Sequence, residues 1–178
     1  MLDGENKLIE MAIGGEASAF GSLYDYYQPK IYRFVFIKVS RREEAEDLTH
    51  QVFVNAWLNI KNYREMGFPL GSWLYQIARN QVIDYYRTRK KESSLEEMDS
   101  EYFAVRNDSE YAFDADLEMA RVKGAVQKLK PEQQDIIILR FVEDLSPKEI
   151  AEVIGKSEGA VKLIQHRALN QLRKLLLK

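Results

Sequence analysis

The chain has 178 residues, 46% of them hydrophobic and 30% charged, with no cysteine and two histidines. A disulfide framework and a thiolate zinc site are therefore excluded, and His50 and His166 alone cannot build a metal cluster, so no cofactor and no metal are expected. No apolar run approaches the ~18 residues of a membrane span, and MLDGENKLIEMAIGG at the start lacks a basic n-region followed by an apolar h-region, so the expectation is a cytoplasmic protein with no membrane insertion.

The formal charge of −2 hides a strong partition along the chain. Residues 1–91 carry 13 Lys+Arg against 11 Asp+Glu, residues 92–118 carry 1 against 10, and residues 119–178 carry 12 against 7. Two basic ends flank an acidic middle, a distribution that favours a polyanionic partner more than the bulk charge does.

In chain order, the first periodic segment runs from Ser18 to Val39. Phe20, Leu23, Tyr24, Tyr27, Ile31, Phe34 and Val35 fall on one helical face, and Pro29 is a point at which the helix could kink or reset. From Arg41 to Asn59, an apolar stripe of Ala45, Leu48, Val52, Phe53, Ala56 and Trp57 backs a polar face of Glu43, Glu44, Glu46, Asp47, His50, Gln51 and Asn55. Asp47, Gln51 and Asn55 recur at i, i+4, i+8 and form one row, whose commonest meaning is a solvated face.

From Leu70 to Lys91 a further helix turns Leu70, Trp73, Leu74, Ile77 and Ala78 inward, and Asn80 and Asp84 turn toward the same side, where a buried polar pair satisfied by neighbouring backbone is one of two readings. It ends in Arg87, Arg89, Lys90 and Lys91, cations that suit a helix C-terminus. Residues 92–118 break the pattern with Ser, Asn, Asp and a charge run and read as a linker. Tyr102, Phe103, Tyr111 and Phe113 make it more aromatic than a solvating tether requires.

The segment from Ser146 to Arg173 carries the sharpest local signal. Ser146 before Pro147 is an N-cap with proline at the first helical position. Ile150, Ala151 and Ile154 give a short apolar stripe, and Gly155 supplies the left-handed stop. Ser157 caps a second, longer helix with Val161, Ala168, Leu169 and Leu172 inside, leaving Glu158, Lys162, Leu163, His166 and Arg167 outside. Two helices joined by a short glycine-containing turn have helix-turn-helix spacing, which points to DNA. Neither glycine-rich phosphate loops nor strand patterns occur, so the fold expected is all-α: two small helical domains joined by an acidic flexible linker. No nucleophile, base and orienting group form a constellation, so no enzymatic activity is expected.

AEDLTHQVFVNAW (45–57), GSWLYQIARNQVIDYYR (71–87), the acidic linker and the terminal helix-turn-helix, in that order, resemble the extracytoplasmic-function (ECF) sigma factors of the sigma-70 family. The resemblance implies a region 2-like domain at 1–91, a linker at 92–118 and a region 4-like domain at 119–178. It further implies a promoter-recognition subunit that binds core RNA polymerase, reads a −35 element with the second domain, and reads and melts a −10 element with the first. An anti-sigma factor and a monomeric free state belong to the same expectation.

The resemblance assigns Asp47, Gln51 and Asn55 to polymerase docking. It places −10 reading on the 60–71 loop and the helix after it, where Tyr63, Phe68 and Trp73 could stack on bases. Asn62, Gln76 and Asn80 could supply amides, and Arg64 and Arg79 phosphate contacts. For Trp73 a place in the core is the competing reading, and for Asn80 and Asp84 the alternative to the buried pair is a role in strand opening. In the −35 domain, Lys162 and His166 are expected at base edges and Arg167, Lys156 and Ser157 at phosphates. Leu163 lies beside them, and Glu158 either accepts from a cytosine amine or completes the helix dipole. Where the family commonly has Leu this chain has Gln165, close to the buried stripe, and where it often has Arg this chain has Ile164.

The residues by themselves also admit an autonomous helix-turn-helix regulator with an N-terminal sensing or dimerisation module. Such a dimer would need palindromic half-sites about one helical turn apart. A protein-binding adaptor is disfavoured by the charge partition.

Overall fold

Among the residues described by the computed structural model, 2, 4–63, 68–93 and 114–177, every regular element is helical. None of these helices is long and apolar enough to cross a membrane. By their contacts the residues group into two compact units, 1–82 and 83–178.

The first unit starts with α1 (Glu5–Ile13), α2 (Ala17–Val39) and α3 (Arg42–Asn59), followed by a 3-10 turn (Ile60–Asn62), and takes in the start of α4 (Leu70–Ser93). Along α2 the buried residues Ala19, Leu23, Tyr27, Ile31, Phe34 and Val35 follow the three-to-four spacing of one helical stripe. The facing stripe of α3 is Ala45, Thr49, Val52, Phe53 and Ala56. Leu70, Leu74, Ala78 and Val82 bury one side of α4, and Phe34 meets Tyr75 edge-on at 5.6 Å between ring centroids. Burying an aliphatic or Phe side chain of this kind stabilises by ~1.5–3 kcal/mol, so this seam is what holds α4 in place.

Several expectations change here. Pro29 does not reset α2, which runs unbroken through it. The reason is its position: Pro29 and Asp25, whose carbonyl loses its helical partner, are both exposed, so water can satisfy that group. Tyr24 and Trp57 lie at the rim of the core instead of inside it, each 36% exposed. They pack against Phe53 and Phe20 with ring centroids 4.7 and 4.9 Å apart. The helix α1 arises from a segment in which no element was expected, and it packs on α2 and on the 3-10 turn.

In the second unit α5 (Asp114–Gln127), α6 (Pro131–Phe141), α7 (Pro147–Ile154) and α8 (Glu158–Leu176) follow. The four consecutive residues Ile136 to Leu139 of α6 are all buried, because α5, α7 and α8 each pack against it. A helix covered on several sides has no single apolar face, and so no periodic signal. The α5–α6 corner is closed by Gln134, whose Nε2 donates to the carbonyls of Gln127 and Leu129, each at 3.0 Å. Of the expected linker, residues 92 and 93 complete α4 and 114–118 open α5. Residues 94–113, with Tyr102, Phe103, Tyr111 and Phe113, lie outside the described residues.

Candidate nucleic-acid interface

The turn between α7 and α8 is built from local chemistry. Ser146 Oγ accepts from the Glu149 N–H at 3.2 Å while Glu149 Oε2 accepts from the Ser146 N–H at 2.8 Å, a closed capping box. Gly155 takes φ 69° and ψ 40°, the left-handed stop that costs other residues about 1–2 kcal/mol. Ser157 Oγ then accepts from the Ala160 N–H at 3.2 Å and starts α8. Val161, Ala168 and Leu172 are buried on the inner side of α8. Ile164 and Gln165 are half-buried beside them, whereas Leu169, expected inside, is 38% exposed at the edge.

The residues singled out on α8 and its turn, Lys156, Ser157, Glu158, Lys162, Leu163, His166 and Arg167, are all exposed. By helical angle Lys162, Leu163 and His166 share the outer face and Arg167 stands on the opposite flank. The cations are not bare. Lys162 Nζ lies 2.6 Å from Glu158 Oε1, and Lys156 Nζ lies 3.2 Å from Glu132 on α6. The Lys162 ammonium holds the Glu158 carboxyl below its usual range. Asn170, which the sequence reading missed, places its Nδ2 3.0 Å from His166 Nε2 and extends the outer face by one turn.

A second feature lies in the first unit, where the end of α3, the 3-10 turn and α4 enclose an open cavity of about 540 Å³. It is lined by Asn55, Asn59, Asn62, Trp73, Ile77, Asn80 and Gln81. Four asparagines and a glutamine around an indole and an aliphatic side chain supply a planar apolar surface with amide donors and acceptors at its rim. Trp73 and Ile77 are half-buried, so they form this wall and not the core. Asn80 and Asp84 are both exposed, which removes the buried-pair alternative. The helix places its core seam on Leu70, Leu74 and Ala78 and rotates these polar positions outward, and Asp84 pairs with Arg87 at 3.0 Å.

Of the other loop and α4 residues, Tyr63 is buried, its ring 5.2 Å from Trp73 and its hydroxyl donating to the Phe68 carbonyl at 3.2 Å. In this conformation it supports the indole from behind and offers no free face. Phe68 and Arg79 are half-buried, Gln76 is exposed, and Arg64 lies outside the described residues. Asn59 and Gln81 were missed, since nothing in the helical pattern tells which polar residues of two helices converge. Asp47 and Gln51 are exposed and Asn55 half-buried, with Gln51 Nε2 donating to Asn55 Oδ1 at 3.2 Å. Asn55 thus ends the polar row and also lines the cavity.

Comparison with known proteins gives these features a context. Residues 23–92 match Sigma-70 region 2, and residues 125–174 match Sigma-70, region 4. The ECF RNA polymerase sigma factor BldN of Streptomyces coelicolor is 39% identical over 173 residues, covering 96% of this chain, which spans 65% of that protein's length. SigW of Bacillus subtilis, also an ECF sigma factor, is 30% identical over 179 residues, covering 96% of this chain and 95% of SigW. Two solved structures share the fold. CnrH in complex with the cytosolic domain of CnrY has a TM-score of 0.75 at 25% identity, covering 97% of this chain and 96% of that one. RpoE in complex with the anti-sigma factor NepR from Bartonella quintana has a TM-score of 0.71 at 28% identity, covering 88% and 96%. An autonomous regulator would not match region 2 and region 4 in this order over two thirds of the chain, and with the capped helix-turn-helix and the amide-lined cavity in place the chain belongs to the ECF RNA polymerase sigma factors of the sigma-70 family, which direct polymerase to promoters.

Proposed function

We propose that this sigma factor divides promoter reading between the outer face of α8 and the cavity beside α4. The convergence of Asn62, Trp73 and Asn80 with Asn55, Asn59 and Gln81 on one open cavity carries the −10 assignment. Taking a base out of the stack costs a few kcal/mol. An indole face returns part of this by stacking, and the amides read the exposed edge. Phe68 and Gln76 flank this site, Arg79 and Arg64 are the phosphate candidates, and Tyr63 holds Trp73.

On α8, Lys162 and His166 are assigned to base edges and Leu163 to a thymine methyl. Lys156, Ser157 and Arg167 are assigned to phosphates. Glu158 and Glu132 hold two of these cations in the free protein and would release them to DNA. If Lys162 reads a guanine edge, Lys162→Ala costs ~1–3 kcal/mol at one −35 base pair and flattens the preference there. Arg167→Ala instead weakens all promoters alike and lowers the salt slope by about one unit. Binding titrations over a −35 library at several salt concentrations distinguish the two.

The exposed row of Asp47 and Gln51 is assigned to core polymerase. CnrH and RpoE were solved with CnrY and NepR, the latter an anti-sigma factor. By that likeness this chain is assigned an anti-sigma partner, and it is otherwise read as a cytoplasmic monomer with domains at 1–91 and 119–178. Run-off transcription by bacterial core polymerase tests the whole reading. Specific transcripts are expected only when the protein is added, and Asp47→Lys with Gln51→Lys should reduce them by weakening core binding. Equal transcripts with and without the protein would reject it.

A further inference from the structure

The first helix carries a buried acid. Glu5 and Tyr27 are each 6% exposed, and the Tyr27 hydroxyl donates to Glu5 Oε1 at 2.6 Å. The other carboxylate oxygen accepts from the Leu2 N–H at 3.3 Å. On its far side the Tyr27 ring rests against Gly71 in the first turn of α4. A Cβ at Gly71 would stand 3.0 Å from Cε1 of the same ring, so the contact needs a residue without a side chain. Two hydrogen bonds and a close backbone contact therefore join the N-terminal segment, α2 and the start of α4. Burial first, and Glu5 second, push the Tyr27 phenol well above its usual range, so it stays a donor.

This linkage ends beside the proposed −10 site. Trp73 follows Gly71 by two residues and forms the apolar wall of the cavity. Meanwhile α1 also packs on the 3-10 turn that carries Asn62, so both sides of the cavity mouth are referenced to α1. A plain apolar contact would serve packing as well or better, since a buried carboxylate carries a desolvation cost that only directed partners offset. What the polar contacts add is direction. We infer that Glu5 and Tyr27 are positioning residues for −10 discrimination, fixing the start of α4 and with it Trp73, an inference that rests on the −10 reading proposed above.

The test uses holoenzyme reconstituted with the full chain and a library of −10 sequences behind one fixed −35 element. Tyr27→Phe keeps the ring and removes the hydroxyl. It should lower opening of the matched promoter by about fivefold to tenfold, the worth of one buried hydrogen bond, and narrow the ratio between matched and mismatched −10 bases. Core affinity and −35 preference should stay unchanged. Glu5→Gln, whose amide oxygen still accepts, should retain most of the ratio. An unaltered −10 ratio in Tyr27→Phe would overturn the inference, and so would a loss equal at every −10 sequence, the mark of general destabilisation. Should Tyr27→Phe lose its helical signal, Glu5→Ala is measured instead against the same outcomes. Asn80→Ala is run in parallel: if it flattens the −10 preference and Tyr27→Phe does not, the positioning role falls and the −10 reading stands. If neither changes that preference, the −10 reading falls and takes this inference with it.

Discussion

Asn62→Ala combined with Asn80→Ala is expected to reduce opening of a matched promoter by roughly 30- to 1,000-fold, equivalent to ~2–4 kcal/mol. Each amide paired with a base edge is worth ~1–3 kcal/mol, and because the two would face one captured base their losses need not add. Both side chains are exposed and line the same cavity, so the fold should tolerate the change within ~0.5 kcal/mol. The −35 domain contains neither residue, and binding to −35 duplex should be retained. Permanganate reactivity of the melted strand, read beside thermal unfolding of the free protein, checks the prediction. Normal opening with normal stability would remove the cavity from −10 recognition.

The second large effect concerns the helix-turn-helix core. Ile150 is fully buried on α7, and truncating such a residue to Ala removes transfer energy and leaves a cavity, typically costing ~2–5 kcal/mol. For a small domain whose total stability is ~5–15 kcal/mol, that is a large share. In the full-length Ile150→Ala protein, amide hydrogen exchange should lose protection across α6, α7 and α8 while α2 and α3 keep theirs. Leu163→Ala is the matched control. Leu163 is 50% exposed, so its removal should change stability by no more than ~0.5 kcal/mol while still weakening −35 binding through the lost apolar contact. If Ile150→Ala unfolded the first unit equally, the two units would not be independent in stability.

The features legible in the linear chain are those whose physics is local. The capping serines 146 and 157, the left-handed Gly155 and the short apolar stripe of α7 depend on residues within a turn or two of each other, and each takes the conformation expected from its neighbours. The same holds for the outer face of α8, since one capped helix with a buried Val161 and Ala168 can expose only one side. The family, too, was legible, because the order and spacing of its motifs are properties of the linear chain. Whatever depends on which neighbour covers a given face was set by packing in the folded chain. The pattern on α4 is compatible with more than one rotation, and the packing of Phe34 against Tyr75 selects the one that turns Asn80 and Asp84 out and makes Trp73 a cavity wall. A helix covered by three others, such as α6, has no single face for periodicity to report. Nor could a linear reading show that Tyr63 packs on Trp73, that Asn59 and Gln81 line one cavity from two helices, or that Glu5 is buried against Tyr27. Those pairings join residues separated by 10 to 22 positions, and only the folded backbone brings them within reach of each other.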